Sequence, residues 1–124
     1  VDFVAANMFD ELRRLSDRGA QYDAVILDPP AFARSKDALA RAIGGYKEIN
    51  LRGLRLLRPG GVLVTCSCSS HMNESLLQAV VAEAAVDAKR DVRLVESRGH
   101  ARDHPVHPAM PETRYLTCLT FEVR

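Results

Sequence analysis

Two short stretches carry the residue types that could do chemistry: Asp28-Pro29-Pro30 and Cys66-Ser67-Cys68. Each follows an apolar run of strand character, Tyr22 to Leu27 in the first case and Val62-Leu63-Val64 in the second. In an open parallel sheet, ligands collect outside the carboxyl ends of the strands, so the two tips are expected to share one crevice. One tip offers a carboxylate held by a stiff double proline, because two prolines lock φ and remove backbone donors. The other offers a thiol. A carboxylate and a thiol facing each other point to covalent chemistry on an electron-poor ring.

The two neighbouring cysteines have different prospects. Cys66 and Cys68 share a strand side, and Cys68 stands nearer the tip. Cys68 also precedes a helix whose amino end carries unsatisfied donors, which favours thiolate. Cys66 is therefore expected to pack as a small hydrophobe and Cys68 to react. Zinc would need four ligands at regular spacing, and Cys118 is the single further thiol. His100, His104 and His107 form a second array that could suggest metal, but Pro105 and Pro108 break any helical register between them. A substrate-facing loop is the reading preferred there, and no metal is expected. Arg34, Lys36, Lys47, Arg52, Arg55 and Arg58 make a basic run beside the crevice, either a solvated helix face or a phosphate contact.

The elements that must position these groups follow from pattern. Val1 to Ala6 reads as a short strand, and Phe9, Leu12 and Leu15 mark a helix closed by Gly19. Tyr22 to Leu27, apolar apart from Asp23, reads as a strand buried on both faces. Leu39, Ile43, Tyr46, Ile49, Leu54 and Leu57 trace a long helical stretch that Gly44-Gly45 should kink or break. Arg58-Pro59-Gly60-Gly61 reads as a turn before the Val62–Val64 strand. Asn73 can cap a helix bearing Leu76, Leu77, Val80, Val81, Ala84 and Ala88. Asp91 to Ser97 reads as another buried strand, Gly99 to Pro111 as a loop, and Tyr115 to Val123 as a last strand of alternating character. Strands alternating with helices imply an α/β domain with a mostly parallel sheet.

Composition bounds the function classes. A chain of 124 residues with 47% apolar content is one small domain with enough material for a core. Seventeen basic and sixteen acidic side chains leave a net charge of +1, which excludes a nucleic-acid module that works by bulk charge but not a local basic surface. No apolar run approaches the roughly 20 residues that span a bilayer, so no membrane role is expected. Three cysteines form no disulfide framework and fit a reducing, cytoplasmic setting. The chain opens Val1-Asp2-Phe3 and goes straight into strand-like sequence, as a piece of a longer protein would.

Five blocks taken in order, Asp28-Pro29-Pro30-Ala31-Phe32, Gly45 to Asn50, Ser67-Cys68-Ser69, Asp103-His104-Pro105-Val106 and Pro111-Glu112, carry a family resemblance. The chain from Tyr22 through Val123 resembles the catalytic domain of the bacterial large-subunit ribosomal RNA cytosine-5 methyltransferase I family, S-adenosyl-L-methionine-dependent enzymes of the Rossmann-like class. That resemblance implies a sheet of order 3-2-1-4-5-7-6 with its last strand antiparallel, of which residues 1–124 supply strands three to seven. The family's glycine-rich loop, the acidic end of its second strand and its amino-terminal RNA-binding domain have no counterpart here. The chain is therefore expected to be the carboxyl-terminal part of the catalytic domain. By itself it should be inactive, bind cofactor weakly and self-associate through an uncovered strand.

Residue roles carry over with the resemblance. Cys68 matches the family's nucleophile and Asp28 its strand-four aspartate. Asn7, Met8, Asp28, Pro29 and Pro30 fall at cofactor positions, and Asn7 stands where the family has an aspartate against adenine, offering an N–H in place of an acceptor. Phe32, Arg34, Lys36, Lys47, His104 and Pro105 fall toward the RNA. Two rivals remain. An amino-group methyltransferase also uses an acidic or amide residue before Pro-Pro, but it favours an aromatic directly after the second proline, where Ala31 stands. A non-catalytic interaction module would transfer no methyl group at all.

Overall fold

A computed structural model describes residues 1–32, 35, 37–100, 102 and 105–124. Helix α1 (Met8–Asp17) leads to strand β1 (Tyr22–Leu27), helix α2 (Leu39–Arg55) to strand β2 (Leu57–Ser67), and helix α3 (Glu74–Ala88) to strands β3 (Val92–Arg98) and β4 (Thr117–Val123). The four strands form one sheet of order β1-β2-β4-β3. β1 and β2 are parallel, whereas β4 runs antiparallel to both of its neighbours. That is the 4-5-7-6 portion of the expected sheet, antiparallel strand included.

Burial alternates along β2 and β4. Leu63, Thr65, Ser67, Leu119, Phe121 and Val123 face the helices and are buried, while Val64, Cys66, Cys118 and Thr120 between them stay partly exposed. Tyr46, Ile49 and Leu54 of α2 and Leu77 and Val81 of α3 complete a core on that one face. The opposite face is open. β1 is accordingly not buried on both faces as its composition suggests: Leu27 is enclosed but Ile26 is 71% exposed. β3 departs in the same way, with Val95 58% exposed, because it is the other edge strand.

Three further expectations need correction. Residues 1–6 form no strand, and Val1, Phe3 and Val4 are exposed. A strand needs a partner for its backbone groups, and none of the described strands pairs with this segment. α2 runs unbroken through Gly44-Gly45. Packing overrides the glycine propensity here, since Ala42, Tyr46 and Ile49 on either side of the pair are buried in the core. Arg58 to Gly61 is not a turn ahead of β2 but a bulge within it, where pairing skips from Tyr22↔Leu57 to Ala24↔Val62. Gly60 takes φ +87°, and a Cβ on Gly61 would sit 2.9 Å from the Arg58 carbonyl oxygen. The bulge demands glycine at both positions.

Candidate active site at the strand tips

β1 ends at Leu27, so Asp28-Pro29-Pro30 leaves the sheet at its carboxyl edge; Pro29 is buried, and Asp28 and Pro30 are exposed. β2 ends at Ser67, which places Cys68 just past the same edge. The two tips meet there: the half-buried Cys68 thiol lies 4.0 Å from the Pro29 carbonyl oxygen. Parallel pairing of Leu27 with Thr65 sets this juxtaposition, because it aligns the ends of β1 and β2.

The chain between Cys68 and α3 is a tight, internally bonded turn. The Ser69 amide donates to Ser67 Oγ at 3.3 Å, the His71 amide to Ser69 Oγ at 3.3 Å, and the Met72 amide to the Ser69 carbonyl at 3.2 Å. Asn73 then caps α3 as expected, its Oδ1 accepting from the Leu76 amide at 2.9 Å. A cavity of about 480 Å³ opens beside this turn, lined by Ser69, Asn73, Glu74, Arg98, Arg114 and Thr117 among others.

Cys66 behaves differently from Cys68. Strand pairing sets it directly across from Cys118, with the two sulfurs 3.4 Å apart on the open face. Burial, then the contact with Cys118, and then the Asp28 and Cys68 charges push its thiol up to about 12. A thiol so far from ionising is a packing group at neutral pH.

The remaining expected residues divide. Asn7 caps α1, its Oδ1 accepting from the Asp10 amide at 3.2 Å, and Met8 opens that helix, partly buried. Phe32 turns inward, its ring centroid 5.0 Å from that of Tyr46 and 5.8 Å from that of Phe9. It still lines an open cavity of about 330 Å³ with Ala38, Arg41 and Gly45. Lys47, expected beside the crevice, instead bridges α2 to α3: its Nζ lies 3.0 Å from Asp87 and 3.7 Å from Glu83. The bond to Asp87 and then its charge raise the lysine further above its usual range. Arg52 and Arg58 of the same basic run pair with Glu48 and Asp23, each at 3.0 Å. Pro105 is exposed, while Arg34, Lys36 and His104 lie outside the described residues. His100 and His107 hold the loop: His100 Nε2 accepts from the Leu116 amide at 3.1 Å, and His107 Nδ1 from the Ala109 amide at 3.1 Å.

Sequence reasoning assigned no role to Tyr46, Ser67, Arg98 or Arg114. Tyr46 had a faint signal, a hydroxyl-bearing aromatic on the apolar side of α2. The arginines had none, since they come together only when the β3 end and β4 start are paired.

No protein-family model matches the chain. Curated relatives do. It is 49% identical over 115 residues to the ribosomal RNA large subunit methyltransferase I of Photobacterium profundum, covering 93% of this chain and 29% of that protein. The protein of that name from Vibrio parahaemolyticus is 50% identical over 114 residues, covering 92% of this chain and 29% of the relative. This chain resembles the ribosomal RNA large subunit methyltransferase I family along nearly its whole length. It spans about 30% of the length of the curated relatives it matches.

Solved structures agree on the fold. SMU.776, a proposed methyltransferase complexed with SAH, superposes with a TM-score of 0.79 at 22% identity, covering 96% of this chain and 30% of that one. A proposed SAM-dependent methyltransferase from Streptococcus mutans gives 0.78 at 19% identity, over 96% of this chain and 30% of its own. The α/β fold, with its Rossmann-like sheet, is thus shared with both structures.

Proposed function

We propose that these 124 residues are the carboxyl-terminal part of the catalytic domain of a methyltransferase that acts on carbon 5 of a cytosine in large-subunit ribosomal RNA. The observation that carries the reading is the meeting of the two tips, with Cys68 Sγ 4.0 Å from the Pro29 carbonyl and Asp28 beside it at the open edge of the sheet. The relatives' names support the RNA substrate. A reducing cytoplasm suits three free thiols.

Carbon 5 of cytosine is a poor nucleophile, and a thiolate adding to carbon 6 turns the ring into an enamine that is a good one. Cys68 makes that bond. Asp28 holds the polar edge of the ring, its carboxylate accepting from the exocyclic amino group. After carbon 5 is alkylated, a base takes its proton and the carbon 6–sulfur bond breaks, which returns Cys68. The ring must be unpaired or flipped out for the thiol to reach it. Phe32, Arg34, Lys36, His104 and Pro105 are the RNA contacts proposed around the crevice. Lys47 contributes through the α2–α3 contact instead. Arg114 in the neighbouring cavity suits a backbone phosphate, whereas Arg98 there pairs with Glu96 at 2.6 Å.

S-adenosyl-L-methionine supplies an electrophilic methyl group when bound. Asn7, Met8, Asp28, Pro29 and Pro30 are the residues proposed to hold it. Asn7 spends its oxygen on the α1 cap, which leaves its amide N–H₂ to donate to a ring nitrogen.

The test compares cysteine variants in a protein of the relatives' length that carries this sequence. Cys68→Ala should abolish transfer of labelled methyl groups to ribosomal RNA, while Cys66→Ala should retain it. RNA containing 5-fluorocytosine, which has no proton to lose at carbon 5, should trap a Cys68 adduct visible as a mass shift. Wild-type activity in Cys68→Ala would sink the covalent mechanism and favour amino-group methylation; no transfer in any form would favour an interaction module.

A further inference from the structure

Tyr46 is a buried hydroxyl that the chemistry above does not use. It is fully enclosed, and its Oη lies 3.4 Å from Ser67 Oγ at the end of β2. Ser67 Oγ also accepts from the Ser69 amide, so the two residues flanking Cys68 share one oxygen. The edge of the Tyr46 ring meets the Phe32 ring at 69° and 5.0 Å, which ties it to the residue that closes the Asp28-Pro29-Pro30-Ala31-Phe32 turn. Burial raises the phenol above its ordinary range; the bond from Ser67 lowers it, the Cys68 charge raises it, and the Phe32 amide lowers it. These influences put the phenol within electrostatic reach of both tips at once. A fully buried tyrosine hydroxyl needs a partner, and among the described residues this one finds Ser67 and the Phe32 amide, one at each tip.

We propose that Tyr46 is the positioning residue of the site: through Ser67 and Phe32, its hydroxyl and ring fix the Cys68 tip against the Asp28-Pro29-Pro30 tip. This rests on the assignment of Cys68 as nucleophile. Tyr46 touches neither RNA nor cofactor in this role. It sets the distance and direction from which the thiol approaches, and misplacement of a reacting group by 1 Å can cost on the order of 100-fold in rate. The ring alone supplies the core packing, so the hydroxyl is separable from the fold.

The experiment removes the hydroxyl and keeps the ring. In a protein of the relatives' length, Tyr46→Phe should lower kcat by about tenfold or more and leave KM for RNA and cofactor within about twofold, the split expected when only transition-state geometry suffers. Ser67→Ala should lose at least as much, since it also removes the acceptor of the Ser69 amide, and the double variant should lose no more than Ser67→Ala alone, because Tyr46 acts through that oxygen. Alkylation of Cys68 by iodoacetamide, followed by mass spectrometry without RNA, should quicken about threefold or more as the tip loosens. Wild-type kcat in Tyr46→Phe, losses that add, or an unchanged or slower alkylation rate would each overturn the proposal. If Tyr46→Phe fails to fold, Ser67→Ala alone decides by the same readouts. If Cys68→Ala keeps full activity, the nucleophile assignment falls, and the alkylation rate still reads the Tyr46 contact.

Discussion

Cys66 should be nearly inert toward alkylation in the folded protein and ordinary once unfolded. Its thiol is pushed up to about 12 from an ordinary 9.0. At pH 8 an ordinary thiol is roughly one-tenth ionised and Cys66 roughly one part in ten thousand, a deficit of about 1000-fold in thiolate. Thiolates of higher pKa are intrinsically more nucleophilic, by about 20-fold over this interval for a Brønsted slope near 0.45. The net expectation is alkylation about 10- to 100-fold slower than for the same cysteine in urea, read peptide by peptide in a mass spectrometer. The native rate should climb about tenfold per pH unit until it nears the folded pKa, whereas in urea it levels off above the ordinary value. Cys118→Ala removes the second cause and should recover part of the deficit, while burial keeps the rest. Stability follows the same linkage: a raised folded pKa gives a contribution fully present below pH 9 that is lost as pH rises toward 12, and it is shallow because the thiol is only half buried. Native alkylation at pH 8 within a few-fold of the urea rate would refute both the burial and the Cys118 contact.

The open edge of β1, with Ile26 71% exposed beside unpaired backbone groups, should make the 124-residue chain self-associate; Ile26→Lys should shift it toward monomer in light scattering, and a wild-type chain monomeric at high concentration would contradict this. Asn73→Ala should cost about 1 kcal/mol in denaturant unfolding by deleting the α3 cap, and a change under a few tenths would mean the Asn73–Leu76 bond contributes nothing.

Sequence alone determined the elements whose signals are local. Asn73 capping, the closing Gly19 (φ +74°), the helical stripe of α3 and the alternation of β4 depend on neighbours within a few residues, and all appear in the structure. The two strand tips were legible for the same reason, since an apolar run that stops at Asp28-Pro29-Pro30 or at Cys68 marks a strand end. Tertiary structure decided whatever depends on a partner distant in sequence. Residues 1–6 have strand composition but no strand beside them, so they form none. β1 and β3 look fully buried by composition, yet all three helices lie on one side and both strands stand at an edge. Gly44-Gly45 should break a helix, but burial of Ala42, Tyr46 and Ile49 around it holds it intact. Lys47 reads as a free cation until α3 brings Asp87 and Glu83 to it. Likewise, nothing near Tyr46 in the chain announces that its hydroxyl meets Ser67, 21 residues away. Local propensity fixes what an element is; burial and pairing energies, which are sums over distant residues, fix what it touches.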